Sequence, residues 1–245
     1  MKLTTDGLII RENNNIGESD RFVTVLTRDL GVIQASVRGA RRLKNHNGPA
    51  TQLLCYSRLS LYKGREKYIV DDAEPLQVFF EVRGQLEKLA LAQYFCELAG
   101  VLAPREEPAE EPLRLLLGGL HHLAGDSRPL PLIKAVTELR LLCAAGYTPA
   151  LVHCGGCGTD TGAWFSPTEG TLLCDTCKGL HAVMPLSAGV LAAMRHIVYG
   201  PFEKCFSFSL SAEGLSALSA VCERFLLAQV DRGFKTLDFY HTLGD

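Results

Sequence analysis

The sequence predicts an α+β chain: a five-stranded barrel at the amino end, then an α-helical domain that carries a four-cysteine zinc knuckle. Three observations carry this. Apolar residues alternate with period two before Pro75, they recur at helical spacing after it, and two Cys-x-x-Cys pairs stand sixteen residues apart in the second part. At 245 residues and 47% hydrophobic content the chain can bury one large core or several small ones.

The predicted strands cover residues 8–11, 21–27, 32–38, 53–62 and 67–70. Ile33, Ala35 and Val37 alternate with Gln34, Ser36 and Arg38, as a half-buried strand requires. Arg28-Asp29-Leu30-Gly31 supplies a hairpin turn with glycine at the left-handed position. Five short strands within residues 1–80 suit a small barrel of the oligonucleotide-binding (OB) type, whose closure leaves few exposed edges.

Beyond Pro75 the period changes. Leu89, Ala92, Phe95 or Cys96, Ala99 and Leu102 mark one helix, Leu113, Leu116, Leu117 and Leu120 a second, and Leu132, Val136, Leu139 and Cys143 a third that ends before Gly146. Ser187 caps a helix bearing Val190, Leu191, Met194 and Ile197, and Leu215, Leu218, Cys222, Phe225 and Leu226 mark the last. These helices are expected to form one domain over residues 81–245, with the knuckle inserted at about 149–180. The acidic residues around Pro104 and Pro108 read as a solvated loop.

Cys154, Cys157, Cys174 and Cys177 have the spacing of a tetrahedral zinc site, in which a tight turn aims each pair of thiolates at a metal about 2.3 Å away. Gly155, Gly156 and Gly158 are expected to provide positive-φ freedom, and Trp164-Phe165 with the Glu169-Gly170 turn a hairpin that brings the pairs together. The alternatives are a disulfide pair or a site without metal. Four protein ligands leave no open position, so one structural Zn2+ per chain is expected, without a catalytic part. His153 and His181 flank the pairs and read as incidental.

The five other cysteines, Cys55, Cys96, Cys143, Cys205 and Cys222, lie in apolar contexts and read as reduced core thiols. With no membrane-length apolar run and an acid at Asp6 where a signal sequence would turn apolar, the expected location is the cytoplasm.

Net charge is −2, but its distribution is uneven. Residues 30–65 contain no acid, and Arg38, Arg41, Arg42, Lys44, Arg58, Lys63 and Arg65 fall among them. Tyr56, Arg58, Ser60 and Tyr62 share one strand face, opposite Cys55, Ser57, Leu59 and Leu61. Rings that stack on unpaired bases beside cations that follow phosphates make this stretch a candidate nucleic-acid contact. The plainer alternative is tyrosines at the core rim and cations that serve solubility.

No enzyme is indicated. Gly39-Ala40-Arg41-Arg42-Leu43-Lys44 lacks the trailing Gly-Lys-Ser/Thr of a phosphate-binding loop, and neither His-Glu-x-x-His nor Gly-x-Ser-x-Gly occurs. His121-His122 belongs to the second helix face.

Ile16-Gly17-Glu18-Ser19-Asp20-Arg21, Leu26-Thr27, Gly31 and Val37-Arg38-Gly39-Ala40-Arg41-Arg42 resemble the RecO family of bacterial recombination mediators. So do Gly146-Tyr147-Thr148-Pro149 ahead of the first cysteine pair, Gly170 ahead of the second, and the closing Lys235-Thr236-Leu237-Asp238-Phe239. The resemblance spans nearly the whole chain. It implies an OB fold that binds single- and double-stranded DNA and a helical domain with the knuckle. It further implies strand annealing, work with RecR to load RecA on strands coated by single-strand-binding protein, and nucleoid association. Arg38, Arg41 and Arg42 match the family's basic turn, while Asn45 and Asn47 stand where relatives often carry further basic or hydroxyl residues. The rival expectation is a protein-interaction adaptor or regulator that does not anneal DNA.

Overall fold

The computed structural model describes residues 2–13, 20–40, 46–64, 67–179 and 182–243. In chain order its elements are β1 (Lys2–Asn13), β2 (Arg21–Thr27), β3 (Gly31–Val37), a one-turn α1 (Asn47–Ala50), β4 (Cys55–Lys63), β5 (Tyr68–Val78), α2 (Leu86–Leu102), α3 (Glu110–Ala124) and α4 (Leu130–Ala144). There follow β6 (Ala150–Cys154), β7 (Trp164–Ser166), β8 (Thr171–Leu173), β9 (Met184–Pro185), α5 (Ala188–Tyr199), α6 (Ala212–Val230) and α7 (Lys235–His241). They form two compact units, Met1–Gly125 with Phe234–Asp245, and Asp126–Gly233.

In the first unit β1 to β5 close a barrel in the order β1-β2-β3-β5-β4. This is the OB-type arrangement anticipated from strand number and spacing. Neighbouring strands are antiparallel except at the closure, where β3 runs parallel to β5 through Ala35↔Tyr68 and Ser36↔Ile69. The interior is filled by one residue in two: Val23 and Val25, Ile33, Ala35 and Val37, Leu59 and Leu61. Ser57 follows the same inward parity and donates its hydroxyl proton to the Ala50 carbonyl at 2.7 Å, so its burial leaves no polar group unmatched.

Two strands run longer than their sequence pattern indicates. β1 begins at Lys2, and β5 continues through Pro75 to Val78. Pro75 is accommodated because the β4 register slips there, with Ser57 opposite Pro75 and Tyr56 opposite Gln77. Such a bulge spares the ladder hydrogen bond that proline cannot donate.

Leu8 and Leu26 are buried on the barrel's outer side, where α2 and α3 lie against β1 and β2. The loop between these helices clasps the β2–β3 turn: the Val32 N–H donates to the Pro104 carbonyl at 2.8 Å and the Ala109 N–H to the Arg28 carbonyl at 2.9 Å. Gly31 has φ +61°, and a Cβ there would stand 2.1 Å from the Pro104 oxygen, so both backbone and neighbour require glycine. α7 packs along α2, with the Thr236 hydroxyl donating to Glu97 Oε2 at 2.6 Å and Phe234 edge-on to Tyr94 at 5.8 Å. The composition changes near residue 80, whereas the packing boundary after α3 falls at residue 125.

The second unit is built around α4, whose residues Leu132 to Leu142 are all buried. It packs against α5 and α6. Lys134 Nζ lies 2.8 Å from Glu138 Oε1 and 2.7 Å from Glu223 Oε2, tying α4 to α6. Burial opposes that ammonium charge, but the two carboxylates outweigh it and hold Lys134 above the ordinary lysine range. Ser187 caps α5 as anticipated, its Oγ accepting from the Val190 N–H at 3.3 Å. Among the described residues no helix is long and apolar enough to cross a membrane.

Candidate metal centre and nucleic-acid interface

Cys154 ends β6 and Cys174 follows β8, so two strand ends deliver one cysteine each. Cys157 and Cys177 follow in tight turns, where the Gly158 N–H donates to the Cys154 carbonyl at 2.8 Å and the Cys177 N–H to the Cys174 carbonyl at 3.1 Å. The four sulfurs lie within 4.8 Å of one another, with Cys157 and Cys174 at 3.7 Å. A tetrahedron of thiolates about 2.3 Å from a metal has edges of roughly 3.8 Å, so this donor set fits one ion. None of the nine cysteines is joined in a disulfide.

The glycines of the first turn play a part different from the anticipated one. Only Gly158 has positive φ, at +75°. Gly155 and Gly156 are needed for close approach instead: a Cβ on the former would meet Thr171 Oγ1 at 2.6 Å, and one on the latter Cys177 Cβ and Sγ at 2.9 Å. The hairpin holds: β7 pairs antiparallel with β8, and Gly170 turns at φ +64°.

Electrostatics separate the thiols. Burial pushes Cys154 up, but N–H donors of Cys174, Cys157 and Gly156 outweigh it and bring it down to about 6. The Cys177 N–H likewise lowers Cys174, whereas hydrogen bonds to Cys157 and Cys174 raise Cys177 to about 12. Four thiolates this close cannot all ionise on their own, and a divalent cation would remove the conflict. His153 points elsewhere, its Nδ1 2.6 Å from Asp160 Oδ1, and His181 lies outside the described residues.

Helices hold this small sheet. Arg195 on α5 donates to the Leu151 and Val152 carbonyls at 2.7 and 3.3 Å, and the Tyr199 hydroxyl accepts from the Leu151 N–H while donating to the Pro149 carbonyl, each at 3.0 Å. From α6, Phe225 meets Phe165 edge-on at 5.4 Å, and Gln229 donates to the Pro167 and Thr168 carbonyls at 2.9 and 3.0 Å.

On the barrel, Tyr56, Arg58, Ser60 and Tyr62 do share the outer face of β4. Arg58 there is gripped by Asp6, with Nε 2.9 Å from Oδ1, and this pairing raises its pKa. Tyr56 is half-buried, which raises its phenol, and Tyr62 is exposed beneath the Lys2 ammonium. Lys63 Nζ is 4.0 Å from Glu106. The acid-free stretch of sequence is thus not an acid-free surface, because β1, β5 and the α2–α3 loop bring carboxylates alongside it. Arg38 is exposed in the turn after β3, where the Gly39 N–H donates to Asp20 Oδ1 at 2.8 Å. Arg41, Arg42, Lys44 and Arg65 lie outside the described residues.

A second cationic group escapes the sequence pattern. A bulge between Ile9 and Arg11 shifts the parity of β1, so Arg11 and Asn13 join the outer face opposite Thr24 and Phe22. Gln34 stands opposite Thr24 on β3, and Lys67 Nζ lies 4.6 Å above the Phe22 ring. These residues line a cleft.

Comparison with known proteins covers both parts of the chain. The family model described as Recombination protein O N terminal matches residues 1–79, and the model described as Recombination protein O C terminal matches residues 83–238. The chain belongs to the RecO family. It is 34% identical to the DNA repair protein RecO of Acetivibrio thermocellus over 98% of this chain and 97% of that protein. It is also 34% identical to the RecO of Symbiobacterium thermophilum, over 97% and 96%, and 31% identical to that of Dehalococcoides mccartyi strain CBDB1, over 96% and 94%.

Proposed function

We propose that this chain is a non-enzymatic DNA-binding mediator of recombinational repair in the cytoplasm, associated with the nucleoid. The barrel of residues 1–80 holds single- and double-stranded DNA and anneals complementary strands. The domain of residues 81–245 engages RecR and single-strand-binding protein, so that RecA is loaded on the exposed strand. The observation that carries this reading is the closed barrel in a RecO-family chain, with an outer face bearing cations and aromatic rings. Annealing needs no covalent step. Two polyanions repel, and a cationic surface that releases their counterions lowers that cost.

The four cysteines hold one Zn2+ whose contribution is to folding. Their closed donor set joins the ends of strands too short to stand alone. On the barrel, Arg38, Arg41, Arg42, Lys44, Tyr56, Arg58, Tyr62, Lys63 and Arg65 supply the DNA contact, with Arg58 and Lys63 exchanging carboxylates for phosphates.

Fluorescence anisotropy with single-stranded oligonucleotides tests this. Affinity is expected to fall steeply between low and moderate salt, and Glu at Arg38, Arg41 and Arg42 together to abolish retention while leaving binding of RecR intact. A flat salt response, or lost partner binding with DNA binding kept, would favour the adaptor.

A further inference from the structure

The outer surface of the barrel divides into two electrostatic regions. Around β4 each of three cations has a carboxylate beside it: Lys2 with Asp71, Arg28 with Asp29 and Arg58 with Asp6, all within 3.1 Å. At the cleft the cations are Arg11 and Lys67, and among the described residues neither has a carboxylate at ion-pair distance. Lys67 instead rests on the half-buried ring of Phe22. The remaining polar lining is Asn13, Thr24 and Gln34, which carry donors and acceptors but no charge.

We propose that this cleft holds one unpaired base of a single-stranded nucleic acid, stacked on Phe22 in the place of the Lys67 ammonium, with Lys67 and Arg11 on the flanking phosphates. This rests on the reading of the barrel as the DNA-binding part. Three properties of the cleft support it. An ammonium 4.6 Å above a ring marks a face that is accessible and attractive to a flat or cationic group. A base stacked on such a ring gains more than an exposed ammonium does, and the released lysine finds a phosphate in exchange. Side-chain amides at Asn13 and Gln34, with a hydroxyl at Thr24, can meet the edge of any base, so the site selects unpaired over paired strands and not one base over another. Bases inside a duplex are stacked on each other and cannot reach Phe22 without being extruded.

Phe22→Trp, Phe22→Ala and Lys67→Gln test the inference on the full chain, after melting curves establish that each variant folds. Trp164 is the chain's single tryptophan and gives the background fluorescence. Oligothymidylate is expected to quench the added indole of Phe22→Trp, and an equal-length duplex to leave it unchanged. Phe22→Ala should weaken single-strand binding about ten-fold while duplex affinity stays within about two-fold. Lys67→Gln should lower the slope of log affinity against log salt by about one unit. If the chain binds both DNA forms with a steep salt response but Phe22→Ala matches the parent, or weakens both forms equally, the base site is overturned and the DNA-binding reading stands. If the parent chain binds neither form even in dilute buffer, both fall.

Discussion

The barrel and the cysteine sheet are both small β structures, but they are held together by different means. Strands of seven to twelve residues build the barrel, and their inward side chains make a continuous apolar core. Its polar residues are therefore free to serve the surface. Strands of two to five residues build the cysteine sheet, where the apolar cluster around the thiols is Cys154, Leu173 and Cys174, with Trp164, Cys177 and Val183 against them, and Leu151, Phe165 and Leu172 are buried as well, Phe165 against Phe225 of α6. Strands this short depend on support from beyond their own ladder. There the cysteines that can hold a metal are themselves part of the core, whereas in the barrel the groups that would bind are separate from those that fold.

The largest expected effect would break this contrast if it failed. Removing zinc with a strong chelator, or Cys174→Ser, should withdraw a folding contribution on the order of 10 kcal/mol from the knuckle. Amide exchange measured by mass spectrometry should then show residues 150–178 unprotected while β1 to β5 keep their protection. A metal-free preparation with the knuckle fully protected would show that apolar packing suffices there after all.

The converse test lies in the barrel unit. Gly31→Ala combines a left-handed backbone with overlap on the Pro104 carbonyl and should cost about 3 kcal/mol, read from the denaturant midpoint, with one zinc per chain retained. Loss of zinc in that variant would mean that the two structures are not independent. The smallest effect sharpens the picture of how helices support the knuckle. Tyr199→Phe deletes a hydroxyl that bridges the Leu151 N–H and the Pro149 carbonyl, at about 1 kcal/mol. Competition with a chelating dye should find zinc affinity lowered by about five-fold, and unchanged affinity would show that β6 needs no support from α5.

Much of this was legible in the sequence, for identifiable reasons. β4 alternates strictly, so the parity of Tyr56 to Tyr62 could be read directly, and the cysteine pairs announced themselves by spacing. Parity fails at Ile9-Ile10-Arg11, where an extra residue in the strand leaves no trace in composition yet decides that Arg11 faces outward. The bulge hides Arg11 and Asn13 from the pattern, while Phe22 and Lys67 come together only through the closure of the barrel, which no local period reports. Charge was misleading in a similar way. An acid-free run in the chain says nothing of the strands that will lie beside it, and Asp6 sits more than fifty residues before the Arg58 it neutralises. Gly155 and Gly156 were recognised as necessary, but for the wrong reason, since close approach and positive φ both select glycine.

The closure of the barrel has a mechanical consequence. Every other junction is a longer antiparallel ladder, whereas among the described residues β3 and β5 pair through Ala35↔Tyr68 and Ser36↔Ile69 alone. A ring fastened by so short a clasp unfastens there first, and Lys67 is the residue just before it. Under tension from a bound strand, the barrel would yield along this line, as a bracelet does at its catch.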